Sequence, residues 1–193
     1  MFLNITYNSS LQLIIYYSTR LSFYIYYSGD SMSILEYLLL FFTFSIIGYI
    51  YEVILHYFTK HKFIHSGILS GPYCFIYGLG IIFITIFSNS PMSAFNAGVV
   101  TCFILELTIG YILDYLHLPR WNYAHFPYNI KGLTCLYSLE VFGILSVVYY
   151  NLFKEPIVSL LILLPKGLEI YLLIIICIVI SSDIAYTYFR KTK

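Results

Sequence analysis

At 193 residues, 60% hydrophobic and only 10% charged, with a mean hydropathy of +0.84, the chain lies outside the composition of a soluble globular domain and must dissolve in lipid. A formal net charge of +1 excludes nucleic acid and acidic surfaces as partners, because both are held by clustered Lys and Arg. The four cysteines, Cys74, Cys102, Cys135 and Cys177, show neither metal-knuckle nor disulfide-framework spacing and are expected as buried free thiols.

In chain order, residues 1–33 come first. Leu11 to Ser28 is fairly apolar but carries Arg20 near its middle, where a charge costs about 2.5–3.5 kcal/mol on insertion scales, so no span is expected there. The stretch also lacks the pattern of basic flank, apolar run and small-residue cleavage site that marks a signal peptide. It is expected to be poorly ordered, or to precede a true start at Met32. Residues 34–193 form the membrane part.

Five windows there have the length and apolarity of a crossing helix: Ile34 to Phe58, Ile68 to Phe87, Ala94 to Leu116, Gly132 to Phe153 and Leu168 to Phe189. The expected fold is all-α, a polytopic membrane bundle of five spans. The run Ile157 to Leu164 is too short to cross and reads as a re-entrant or interfacial segment before the last span. Of the Lys and Arg residues, Lys60, Lys62, Arg120, Lys131, Arg190, Lys191 and Lys193 fall on one side, and Arg20, Lys154 and Lys166 on the other. The positive-inside rule then puts the amino terminus outside and the carboxyl terminus in the cytosol.

Counting along each span places Glu52, Glu106, Glu140 and Asp183 in the inner half of the membrane on four different helices. A lone carboxylate facing lipid would be expelled or neutralised, which points to a shared acidic cavity open to the cytosol. The alternative is a set of protonated acids hydrogen-bonded across helices, with no chemistry attached. Ser45, Gly48 and Glu52, and likewise Cys102, Glu106, Gly110 and Asp114, share helix faces; the glycines there suit close helix packing as well as they suit a cavity wall.

Gly71 and Pro72 interrupt the second window. Proline lacks a donor and disfavours helix in the residue before it, but suits a first helical position, so a helix is expected to start at Pro72. From there to Phe87 is about 24 Å, short of the roughly 30 Å hydrocarbon core, and the start should therefore be sunk in the membrane with Gly67 to Gly71 as non-helical backbone. Such a start offers unpaired N–H groups to an anionic group; a plain tight turn at the interface is the other reading. The loop Pro119 to Asn129, with Trp121, Asn122, Tyr123, His125 and Pro127, would lie over the same opening, or form an interfacial aromatic belt.

Several motifs in one order carry a family resemblance: Gly48 to Glu52 (GYIYE); the spaced set Gly67, Gly71, Pro72, Cys74, Tyr77, Gly78 and Gly80; Glu106 and Gly110 in LELTIG; and Trp121-Asn122-Tyr123 followed by Pro127, Asn129 and Gly132. Over most of Leu38 to Gly143 the chain resembles the CmpB-type family of small bacterial membrane proteins, labelled type IV ABC-transporter permeases. It departs from that pattern at His65-Ser66, where the family tends to have Asn-Arg, at Phe75-Ile76, and at Asn122 and Ala124. The resemblance implies a permease subunit and adds Tyr77 and Asn129 to the candidate substrate- or ion-binding set of Glu52, Glu106, Gly71, Pro72, Trp121, Asn122, Glu140 and Asp183.

The expected function is a permease or transporter component, with Glu52 and Glu106 binding a cation or relaying protons. No phosphate-binding loop is present, so ATP would need a separate subunit, and five spans imply that subunit or a homo-oligomer as partner beside the lipid bilayer. No Glu-Ala-Ala-type coupling loop is visible between spans. A membrane scaffold or regulator without transport activity is the alternative. No nucleophile-and-base set supports an enzyme, and neither a cofactor nor a metal site is expected.

Overall fold

The computed structural model describes residues 32–63 and 69–191. The expectations for the first 31 residues, and the family departure at His65-Ser66, lie outside the described residues.

Among the described residues six α-helices carry the fold: α1 (Ile34–Lys60), α2 (Phe75–Phe87), α3 (Pro91–Tyr115), α4 (Leu136–Val148), α5 (Lys154–Ile162) and α6 (Lys166–Lys191). A two-stranded hairpin, β1 (Asn129–Ile130) with β2 (Thr134–Cys135), closes the α3–α4 connection. Among the described residues, four stretches are long and apolar enough to cross a membrane: Ile34–Thr59, Pro91–Tyr115, Leu136–Ile162 and Lys166–Thr187. Their outward faces are apolar, as with Ile46, Ile50 and Ile54 on α1 and Ile170, Ile174 and Ile178 on α6, all exposed at helical spacing. Such stripes are stable against lipid and costly against water, so the chain is a membrane protein.

Local chemistry sets the helix ends. Ser90 and Ser93 cap α3 reciprocally: Ser93 N donates to Ser90 Oγ (3.2 Å) and Ser90 N to Ser93 Oγ (2.9 Å), with Pro91 at the first helical position. This starts the helix three residues before the expected Ala94. At its other end His117 takes a left-handed φ of 52°, Leu118 N donates to Leu113 O (2.9 Å) and His117 N to Asp114 O (3.1 Å), the bond pair of a Schellman motif.

Two expected elements differ. Of the window Ile68 to Phe87, the described residues, from Leu69 on, are helical only from Phe75, over 13 residues, rather than from Pro72. Its lead-in gives its backbone donors to other elements: Gly71 N to Asp183 Oδ2 (2.9 Å) and Cys74 N to Ser45 O (2.9 Å). Those tertiary bonds, with Cys74 extended and Tyr73 N turned back on Gly71 O (3.0 Å), keep the lead-in non-helical where local preference alone would begin the helix. The run Ile157 to Leu164 is not a separate re-entrant piece, because α4 continues through a π-helical turn, Tyr149–Phe153, into α5. Pro156 has no N–H and its ring would strike the carbonyl of Leu152 in regular α-helix; a widened turn just before it lets the helix run on. Pro165 then marks the break before α6.

Close approaches order the helices. A Cβ on Gly78 would collide with Ser45 Oγ and the Phe41 carbonyl, and one on Gly48 with the Tyr77 ring, so α2 runs antiparallel to α1. Gly98 lies against Ser146 and the Phe142 carbonyl, and Gly110 against Leu133, which sets α3 antiparallel to α4. Lys166 Nζ meets Glu36 Oε1 at 2.7 Å, bringing the start of α6 to the start of α1. The bundle therefore has one end where α1, α3 and α6 start and an opposite end where they finish.

Candidate functional site

The α2 lead-in meets α1 at Ser45, about 17 Å along a helix of 27 residues. The beginning of α2 thus lies beside the middle of α1, led in by non-helical backbone. From the first turn of α2, Tyr77 reaches toward the finishing end, where its phenol donates to Glu52 Oε1 (2.5 Å). His56 Nε2 stands 4.0 Å from the other Glu52 oxygen, and the Glu52 side chain keeps about a quarter of its surface exposed. Tyr77 also stacks on Phe142 of α4, at 5.3 Å between ring centroids, so the ring that holds Glu52 ties three helices together.

Glu106, on α3, is only 3% exposed. Tyr123 Oη donates to its Oε1 (3.1 Å) and Ser138 Oγ to its Oε2 (2.9 Å), and the Thr134 hydroxyl and Cys102 thiol lie close to the carboxylate. Ser138 lies in the first turn of α4, so the positive end of that helix faces the carboxylate. Among the described residues Glu106 has no ion pair. Tyr123 lies close enough to feel the charge of both Glu106 and Glu52. Burial first, then those charges, raise its phenol pKa, so it stays protonated and remains a donor across the physiological range.

The α3–α4 loop exists to deliver Tyr123. Arg120 pairs twice with Asp114, Nε to Oδ1 (2.6 Å) and Nη2 to Oδ2 (3.0 Å), while Nη1 donates to Trp121 O (2.7 Å). Trp121 Nε1 donates to Leu133 O (2.6 Å). Asn122 Oδ1 accepts from Ala124 N (2.9 Å) in an Asx turn. Asn129 Nδ2 donates to Phe126 O (2.8 Å), and its Oδ1 accepts from Gly132 N (3.0 Å). Lys131 and Gly132, with φ of 52° and 69°, make the mirror-image turn that a tight hairpin needs. Trp121, Asn122 and Asn129 are thus engaged with the loop's own backbone.

Asp183 belongs to a second arrangement. Besides Gly71 N it accepts from Tyr73 Oη (2.5 Å), and Ser70 Oγ and Thr187 Oγ1 lie 3.0 Å apart one turn further along α6. The carboxylate latches the α2 lead-in, including Gly71 and Pro72, to α6. Glu140 stands exposed on α4. Of the four carboxylates expected at one depth, Glu52 and Glu106 are gathered near Tyr123, Asp183 works as the latch, and Glu140 faces outward. Sequence reasoning missed Ser138, Thr134 and Tyr73 as site residues; the available signal was that Ser138 stands three residues after Cys135, the spacing of a helix-capping pair.

A helical membrane chain in which two helix carboxylates are each held by a tyrosine phenol defines a polytopic membrane protein. Residues 39–188 match the family model described as "Putative ABC-transporter type IV", and the chain belongs to that family. No curated protein and no solved structure gave a match.

Proposed function

We propose that the chain is a non-enzymatic membrane component of a transporter, a permease subunit whose Glu52 and Glu106 bind a cation or relay protons in a cavity reached from the cytosol. The observation that carries this reading is the pair of membrane-helix carboxylates, each held by a tyrosine phenol and both near Tyr123. Ionisable groups at membrane depth are expensive and mark ion or substrate paths. The partial exposure of Glu52 beside the buried Glu106 fits an access route from the finishing end.

Parity supports a reading with five crossings. The starts of α1 and α6 lie at one end, which favours an odd number of passes between them, with α2 and its lead-in taken as a pass beside α3 and the joined α4–α5. Arg120 and Lys131 lie at the finishing end, whereas Lys154 and Lys166 lie at the starting end, which supports a cytosolic carboxyl terminus. Membership of the family supports a separate ATPase subunit as partner.

A second reading, a membrane scaffold, draws support from Glu106 and Asp183, whose hydrogen bonds join separate elements as interhelical polar contacts do. Purification of natively expressed protein in mild detergent, with mass spectrometry of what accompanies it, separates the two. The transporter reading expects an ATPase in stoichiometric amount. Recovery of the chain alone or only self-associated would contradict the ATPase partnership.

A further inference from the structure

Lys131 is the first of the two left-handed residues in the hairpin turn, at φ 52°. That position of a mirror-image turn favours Asn, Asp or Gly, so a lysine holds it against its backbone preference. The turn sets where the ammonium goes. Lys131 Nζ lies 5.3 Å from the centroid of the Tyr111 ring, within cation–π range. Val100, Ile104, Tyr111 and Tyr115 recur at helical spacing on α3 and are all exposed, so they form one outward, lipid-facing stripe. Tyr111 stands one turn before Tyr115, the last residue of the helix. The ammonium is therefore turned back along that stripe, about 6 Å short of the helix end, where a lysine stem ordinarily carries its charge outward to water.

Among the described residues no ion pair includes Lys131. Asp114, the carboxylate in the last turn of α3, is taken by two nitrogens of the Arg120 guanidinium. The same loop exposes Ile130 and Tyr128, the latter 83% exposed and also at a left-handed φ, 53°. One uncompensated cation thus stands among exposed aromatic and apolar side chains, continuous with the lipid-facing side of α3.

We propose that Lys131, with Tyr111, Tyr115 and Tyr128, binds the headgroup of a net-anionic phospholipid, its phosphate on the ammonium and its acyl chains along the stripe of Ile104 and Val100. Tyrosines suit this level of a bilayer because each has an apolar body and a polar tip. Charge chooses among lipids. A zwitterionic headgroup brings its own ammonium to a place that already holds one, whereas a net-anionic headgroup leaves the corner neutral. Position favours a lipid over free phosphate, because a soluble ion covers none of the apolar surface beside the charge.

The full chain, purified in mild non-ionic detergent and stripped of lipid, would be offered dioleoyl phosphatidylglycerol and dioleoyl phosphatidylcholine in equal amounts, and native mass spectrometry would count what it retains. One lysine near the headgroups contributes about fivefold in affinity for anionic lipid, so wild type should favour the anionic lipid about fivefold at one site. Lys131→Asn supplies a residue that the turn prefers. It should melt no lower than wild type without lipid, yet lose that preference. Lys131→Arg should keep it, and Tyr111→Leu, which keeps apolar bulk without the aromatic face, should reduce it.

Equal retention of the two lipids by wild type would overturn the site, as would a preference unchanged in Lys131→Asn or, were that variant unfolded, in Lys131→Gln. Displacement of the lipid by inorganic phosphate at equal concentration would mark a soluble-anion site and overturn the lipid assignment. Retention is read without transport, orientation or an ATPase partner, so this site and the transporter reading stand or fall separately.

Discussion

Gly78→Ala is expected to yield little monodisperse protein and a clearly lowered Tm, while Gly80→Ala, two residues along the same helix, behaves as wild type or slightly better. Both changes gain about 1 kcal/mol of helix propensity, so the difference between them isolates packing. At Gly80 a Cβ meets only the Phe142 ring, at 3.9 Å, an ordinary contact. At Gly78 it would run into Ser45 Oγ and the backbone carbonyl of Phe41, and a backbone carbonyl within a helix cannot swing aside.

Overpacking costs about 1–3 kcal/mol where neighbours can adjust, and the rigid neighbour here puts Gly78→Ala at or above that range. Separating α1 from α2 also stretches the bond from Cys74 N to Ser45 O and the one from Tyr77 to Glu52, so the carboxylate site goes with the packing. Thermal melts and size-exclusion profiles of the two variants in one detergent decide it. Equal behaviour would mean that α1 and α2 do not approach as closely as described.

Asp183→Ala should free the α2 lead-in from α6. The carboxylate accepts from Gly71 N and Tyr73 Oη, and hydrogen bonds to charged groups contribute about 1.5–3 kcal/mol, the lower end suiting a partly exposed carboxylate. Since 1.4 kcal/mol is a tenfold change in an equilibrium, local opening should rise at least tenfold. Cys74, partly exposed at the head of α2, reports it. In a Cys177→Ser background, which removes the exposed thiol, maleimide labelling of Cys74 should accelerate at least tenfold in Asp183→Ala, with Cys102 and Cys135 still protected by burial. Asp183→Asn keeps an acceptor oxygen without the charge and should fall between. Unchanged labelling in Asp183→Ala would remove the latch from the account.

Composition and apolar run length made the membrane bundle legible, because lipid demands long uninterrupted hydrocarbon surface and the sequence displays it directly. What composition cannot display is a bond between elements. The start of α2 moved from Pro72 to Phe75 because Ser45 and Asp183, far away in the chain, take the donors of its lead-in. The joining of α4 to α5 was hidden for a related reason: Pro156 reads as a break, and only a widened turn ahead of it carries the helix through.

The carboxylates were found by their rarity in apolar helices, and Glu52 with Glu106 follows that logic. Counting depth could not tell which way each side chain faces, so Asp183 and Glu140 were grouped with them, although one latches a loop and the other is exposed. Ser138 and Thr134 escaped notice because hydroxyl residues are common in membrane helices and loops. Their meaning arises only from the fold that turns them toward Glu106.

The most direct test of the paired carboxylates is uptake into proteoliposomes under imposed proton and sodium gradients, comparing wild type with Glu52→Gln/Glu106→Gln at equal amounts of folded protein. Uptake above empty vesicles by the wild type, reduced at least tenfold in the double variant, is the result expected of a working acidic site. Equal uptake by both proteins, or none by either, would contradict it.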